Sequence, residues 1–195
     1  MDDAVEPQDH RTSDLLEVLA AWSPADAAQR MLRDDYAEFL AARPARGLER
    51  DGGPEHVTGS AFVFTPDLTQ VLLCFHRKGQ FWVQLGGHVE PGDASVAHGA
   101  LREAHEESGL DDLVLLRPTP VDLDRHGLGD GFGRCAVHWD VGYAVVAGGD
   151  LKTSVSEESE ALAWFPVASL PADTPDGFAG RVAGVLRELG AVAGA

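Results

Sequence analysis

The chain changes texture once, near Val57. Before that point apolar residues recur every three or four positions; beyond it, short apolar runs are separated by turn-forming residues. In the first part Leu15, Leu16, Val18 and Leu19 mark a helix, with Ser13 as its expected cap. Ser23 and Pro24 open a second helix as cap and first helical residue. It carries Met31, Leu32, Tyr36, Phe39 and Leu40 before Arg43-Pro44 ends it. The stretch 45–55 is polar, rich in Arg, Gly and Asp, and reads as a linker.

In the second part 57–65 and 70–76 predict a hairpin closed by Thr65-Pro66-Asp67-Leu68-Thr69. A third strand over 81–85 ends at Gly86-Gly87. A helix follows over 94–108, with Gly109 where a left-handed C-cap glycine belongs. Strands over 113–123 and 136–147 flank the loop 124–134, which has glycines at 127, 129, 131 and 133. That loop lacks the Gly-Lys-Ser/Thr ending of a phosphate-binding P-loop. A strand over 160–166 and a helix over 177–189 close the chain. The natural packing is a mixed sheet with helices on both sides, an α/β/α arrangement. Residues 1–50 form a helical N-terminal extension with its linker, and 51–195 the main domain.

Composition narrows the partners. Among 195 residues, 15 basic face 32 acidic, a formal charge of -17. Such a chain repels nucleic-acid polymers and anionic membranes. It can still take a small anionic substrate, provided that divalent cations invert the local field. The start MDDAVEPQDH has no basic n-region and no apolar h-region, and no run approaches a membrane span. Cys74 and Cys135 form no close-spaced motif and read as reduced thiols of a cytoplasmic protein.

The chemistry gathers between Gly86 and Leu110. At helical spacing Glu103, Glu106 and Glu107 stand at i, i+3 and i+4 on one face. Ala97, Ala100, Leu101 and Ala104 form the adjacent apolar stripe. Clustered carboxylates beside a buried stripe are unfavourable unless neutralised, and hard oxygen donors suit magnesium or manganese. Arg102, four residues before Glu106, is placed to hold a carboxylate in position. A solvated acidic helix face is the plain alternative. The glycine pair, the Pro91-Gly92 bend and the terminal glycine framing one helix argue against it.

Residues 87–110 resemble the Nudix box, G-x5-E-x7-R-E-U-x-E-E-x-G-U, where U is bulky and aliphatic. Arg102, Glu103, Glu106, Glu107, Gly109 and Leu110 match in register, with Ala104 a small stand-in for U. Asp93 stands where the pattern has Glu, and eight residues instead of seven separate it from Arg102; it is expected to cap the longer helix start while the three carboxylates keep their places. Ala163-Trp164-Phe165-Pro166 followed by Leu170-Pro171 resembles the closing segment of such domains. The resemblance implies a Nudix-type α/β/α sandwich and metal-dependent hydrolysis of a nucleoside diphosphate linked to another moiety. It further implies Glu103, Glu106 and Glu107 as Mg2+ or Mn2+ ligands, with the Gly86 carbonyl as a further ligand and Arg102 beside them. Glu157, Glu158 and Glu160 lie in a region that can supply the base, or form a solvated acidic loop.

The substrate candidates are Arg77 and Lys78, which fit either a phosphate contact or a charged hairpin tip, together with His88, loop-borne Phe132 and His138. His138 and Asp140 share one strand face with His126 nearby; the three fit metal coordination, substrate-pocket lining or, first among these, structural hydrogen bonding. Trp82 and Trp139 offer surfaces for stacking on a base or for core packing. The expected partner is a small nucleotide-like diphosphate, with a homodimer as the candidate assembly. A Nudix-fold sensor that has lost catalysis is the alternative function. Isoprenoid diphosphate isomerisation ranks low, because neither cysteine carries a catalytic signature.

Overall fold

The structure, a computed structural model, describes residues 9–129, 134–153 and 159–190, without the side chains of 159 and 160. Its strands are β1 (Glu55–Phe64), β2 (Gln70–His76), β3 (Phe81–Val83), β4 (Leu85–His88), β5 (Leu113–Leu115), β6 (Asp122–Gly127), β7 (Val137–Ala147) and β8 (Ser159–Pro166). The helices are α1 (His10–Ala21), α2 (Ala27–Ala41), α3 (Val96–Ser108) and α4 (Phe178–Glu188).

The sheet is organised by β1, which is buried along almost its whole length because it is covered on both faces. Along one edge β7 runs parallel to it, from Glu55↔Val137 through Phe64↔Val146. The other edge is shared. β4 pairs antiparallel at Thr58↔His88 through Ala61↔Leu85, and β2 takes over at Val63↔Leu72. β3 and β8 pair with β2, while β5 and β6 pair with opposite ends of β7. The result is the expected mixed sheet with helices on both faces.

Alternate residues of β1 feed two cores. Val57, Ala61 and Val63 meet the small side chains of α3, where Ala97, Ala100 and Ala104 let helix and sheet approach closely. Phe62 and Phe64 pack on the opposite face against Phe178, Val182 and Val185 of α4. The apolar stripe of α1 and α2 is used inside the chain. Leu15, Leu19, Tyr36, Phe39 and Leu40 share one buried cluster with Val57, Val141 and Tyr143. Trp139 stacks on Phe39 with ring centroids 4.5 Å apart and meets Tyr36 edge-on at 4.9 Å. It therefore holds α2 rather than offering a surface to a base. Trp82 is likewise engaged, edge-on to Phe75 and Phe165.

Several local expectations change. Asp9 and Asp26, not Ser13 and Ser23, cap α1 and α2; each carboxylate accepts amides of the first turn. The stretch read as a linker packs on the domain: Leu48 is fully buried, and the Gly47 carbonyl accepts the Val57 amide at 2.8 Å. The strand expected over 81–85 splits into β3 and β4, with Gly86-Gly87 inside β4. The strand expected over 113–123 splits into β5 and β6, and β6 takes Asp124–Gly127 out of the supposed loop. No described helix is long and apolar enough to cross a membrane.

The packing of α2 predicts that Leu40→Ala costs about 2–5 kcal/mol, as other fully buried leucines do. Urea unfolding measures it. A loss below about 0.5 kcal/mol, the size of a surface change, would show that the helix pair does not belong to the folding unit.

Candidate functional site

The helix α3 starts later than its sequence suggests. Ser95 is the cap, its hydroxyl accepting the His98 amide at 3.2 Å, and Gly109 at φ 65° ends the helix. Asp93 therefore does not cap it. Instead Asp93 closes the turn of the preceding loop: its carboxylate accepts the Glu90 amide at 2.7 Å and its own amide donates to the Glu90 carbonyl at 3.0 Å. The side chain is buried against the helix where Gly99 leaves space, since a Cβ there would lie 2.8 Å from Oδ2.

The guanidinium of Arg102 gathers the box. Nε donates to Asp93 Oδ1 at 3.0 Å and Nη2 to Asp93 Oδ2 at 3.1 Å, a two-pronged pair. Nη2 also reaches the His88 carbonyl at 3.0 Å. Nη1 bridges Glu103 Oε1 at 2.9 Å and Glu106 Oε2 at 3.1 Å. Hydrogen bonding to Asp93 is the main reason the Arg102 pKa is raised above its already high ordinary value. Burial works against the Asp93 charge. The bonds from Arg102 and the Glu90 amide outweigh it and bring the carboxyl below its usual range.

Glu107 is buried, and its Oε2 accepts the Gly86 amide at 2.9 Å, which ties the end of α3 to β4. Gly87 sits against the Glu103 carboxylate: a Cβ would fall 2.7–2.9 Å from its atoms. The loop is also held from outside the box. Arg11 of α1, itself buried, bonds the Glu90 carbonyl and pairs with Asp9.

These groups line a cleft of about 280 Å³, bounded by Arg50, Gly87, His88, Glu90, Arg102, Glu103, Glu106 and Glu107. The structure thus brings the four box residues and His88 together. Sequence reasoning missed Arg50 and Glu90; the first was hidden in the supposed linker. Arg77 and Lys78 are exposed on the turn between β2 and β3 and do not line the cleft. His138 lies on β7, paired with His56 of β1 and His126 of β6. Asp140 is a buried hub that accepts Thr58 Oγ1 at 2.9 Å, Ser60 Oγ at 2.6 Å and Gln84 Nε2 at 3.1 Å. Phe132, Glu157 and Glu158 and the side chain of Glu160 lie outside the described residues.

The donor chemistry of the cleft fits a hard divalent cation. Glu90, Glu103, Glu106 and Glu107 place four carboxylates around it against the two guanidinium groups of Arg50 and Arg102. Glu103 and Glu106 share one Arg102 nitrogen as a counter-charge, so the carboxylates outnumber the cations that hold them.

The loop–helix–loop carrying clustered carboxylates on a mixed sheet defines the class of domain, and comparison with known proteins specifies it. The NUDIX domain pattern matches residues 54–188, and the chain belongs to the Nudix family. A Caenorhabditis elegans protein bearing the name nudix hydrolase 1 is 33% identical over 111 residues, which is 55% of this chain. The chain spans about a quarter of that relative's length, since the match covers 27% of it. Among solved structures, a NUDIX-family hydrolase of Clostridium perfringens superposes with a TM-score of 0.57 at 24% identity. That match covers 69% of this chain and 97% of the other. A UDP-X diphosphatase superposes with a TM-score of 0.55 at 14% identity, over 93% of this chain and 96% of its own. The likeness in fold therefore reaches into the N-terminal helices.

Two outcomes follow from this geometry. Gly87→Ala forces Glu103 aside, so Mn2+ affinity is expected to fall about 10–100-fold while circular dichroism stays native. Unchanged affinity would show that Glu103 is not held by that contact. Burial, then crowding by neighbouring imidazoles, lowers the His138 pKa to about 3, and burial also lowers that of His56. The unfolded chain takes up these protons from about pH 6.5 downward, so the folded state loses stability as pH drops from there towards the folded values. The urea midpoint of chelator-treated protein should decline between pH 7 and pH 5, and a flat midpoint would contradict the assignment.

Proposed function

We propose that the chain is a pyrophosphohydrolase that uses Mg2+ or Mn2+ to cleave the diphosphate linkage of a nucleoside diphosphate joined to another moiety. The observation that carries this reading is the convergence of Glu103, Glu106 and Glu107 on one cleft, held from behind by Arg102. The metal would be held by those three carboxylates and the Gly86 carbonyl. Bound there, it supplies charge neutralisation for the diphosphate and acidifies water for attack.

The chain's own residues do the rest. Glu107 is the most firmly placed carboxylate, because burial and the Gly86 amide fix its orientation before substrate arrives. Arg102 keeps Glu103 and Glu106 on the cleft wall and prevents their mutual repulsion from splaying them. Arg50, exposed at the rim, is placed to meet a phosphate oxygen. The sequence region of Glu157, Glu158 and Glu160 can supply the base. A UDP-X diphosphatase shares the fold over most of this chain, which favours a nucleotide-linked substrate.

Hydrolysis should require a divalent cation, and Glu107→Gln should lower kcat by about two orders of magnitude, as loss of one preorganised electrostatic group does. Nucleotide sugars, dinucleoside polyphosphates, nucleoside triphosphates and oxidised nucleotides, each with magnesium and with manganese, form the assay panel. Near-normal turnover by the variant or by chelator-stripped enzyme would overturn the reading.

A further inference from the structure

A second group of ligating side chains lies on the other face of the sheet. His56 alternates with Val57 on β1 and so projects away from α3, on the side of Thr58 and Ser60. His138 is its direct partner on β7, and His88 is the partner of Thr58 on β4, one step along the same face. The ring centroids of these histidines are 5.0 Å (His56–His88), 4.9 Å (His56–His138) and 5.4 Å (His88–His138) apart. Cys135 joins them from the segment before β7, which is fastened to β1 by the Ala136 amide donating to the Pro54 carbonyl at 2.8 Å. The ligand atoms of the four residues all lie within 4.8 Å of one another.

These groups lack the partners that burial demands. His56 is fully buried, yet neither ring nitrogen has a hydrogen-bond partner among the described residues. The Gly53 backbone lies near the ring but outside hydrogen-bond geometry. The Nε2 atoms of His88 and His138 are buried and unpartnered in the same way. An orphaned buried polar atom costs about 1–3 kcal/mol, and three neighbouring imidazoles that each carry one are not an arrangement that packing alone favours.

We propose that His56, His88, His138 and Cys135 form a four-coordinate site for a zinc-class transition-metal ion, separate from the carboxylate cleft. Imidazole and thiolate select such ions, whereas magnesium and manganese prefer oxygen. Bonds of about 2.0–2.3 Å in a tetrahedron put ligand atoms about 3.3–3.8 Å apart. The group must therefore contract by about an ångström from its widest separation. The Cys135 thiol gives up its proton on binding. Four protein ligands leave no open position, so the ion is structural. It ties the Cys135 segment and β7 to β4, whose His88 carbonyl accepts Arg102, and thereby steadies the wall of the cleft.

Cobalt(II) reports the site. Titrated into chelator-stripped full-length protein, a single equivalent should give the intense visible bands of four-coordinate cobalt and a near-ultraviolet sulfur-to-metal transition. The all-oxygen cleft gives neither, and a Glu103→Gln, Glu107→Gln double variant should retain both. Cys135→Ser should abolish the sulfur transition and Cys74→Ser should leave it. In unaltered protein, Zn2+ but not Mg2+ should slow alkylation of Cys135 several-fold, which mass spectrometry of its peptide measures without any substitution. A wild-type spectrum without the sulfur transition, its survival in Cys135→Ser, or an alkylation rate indifferent to Zn2+ would overturn the proposal.

Discussion

The candidate site depends on one side chain having every donor used. A guanidinium carries five N–H groups in a rigid plane, and Arg102 directs them at five acceptor contacts: two on Asp93 and one each on the His88 carbonyl, Glu103 and Glu106. A lysine could match neither the count nor the plane. Through that one group the loop before α3, strand β4 and two carboxylates of the helix are fixed relative to each other. The arrangement also explains how clustered negative charge survives at the edge of a buried stripe in a chain with a formal charge of -17. Asp93, Glu103, Glu106 and Glu107 each have a hydrogen-bonding partner whose position is set by the fold.

The scaffold around this hub is shared out. Small side chains on α3 let the helix lie close on β1, and Arg11 reaches from α1 to the Glu90 carbonyl. The N-terminal helices thus support the loop directly, besides covering the sheet. On the far face Asp140 accepts the hydroxyls of Thr58 and Ser60 and the Gln84 side-chain N–H, while Arg181 of α4 pairs with Asp122 and Asp124. Burial is the main cause of the Asp122 pKa rising to about 6, even with Arg181 beside it. The carboxylates of α3 and the histidines of β1, β4 and β7 thus lie on opposite sides of the sheet, with the His88 carbonyl held by Arg102 and its ring among the histidines.

What the sequence made legible is what local spacing encodes. The one-face set Glu103, Glu106 and Glu107, the Gly109 stop, the hairpin from β1 to β2 and the closing helix α4 each depend on neighbours within a few residues. The cap of α1 was misread because Ser13 and Asp9 both offer a capping oxygen, and only the packing of Leu15 and Leu19 selects between them. The role of Asp93 was hidden because its partner is nine residues away across a loop whose path no periodicity reports. The pairing of His56 with His138 joins parallel strands about 80 residues apart. No local pattern announces such a register, and the histidine group was accordingly invisible as a unit. Arg50 and Leu48 were lost to a polar composition that looked like a linker but packs through one leucine.

The central claim is that Asp93 acts through Arg102 and not as a metal ligand or a helix cap. A double-mutant cycle of Asp93→Asn and Arg102→Gln, read by urea unfolding, tests it most directly. If Asp93 acts through Arg102, the double variant is scarcely less stable than Arg102→Gln alone, with a coupling of about 0.5–3 kcal/mol. Strictly additive losses would contradict the claim and leave Asp93 with a role of its own.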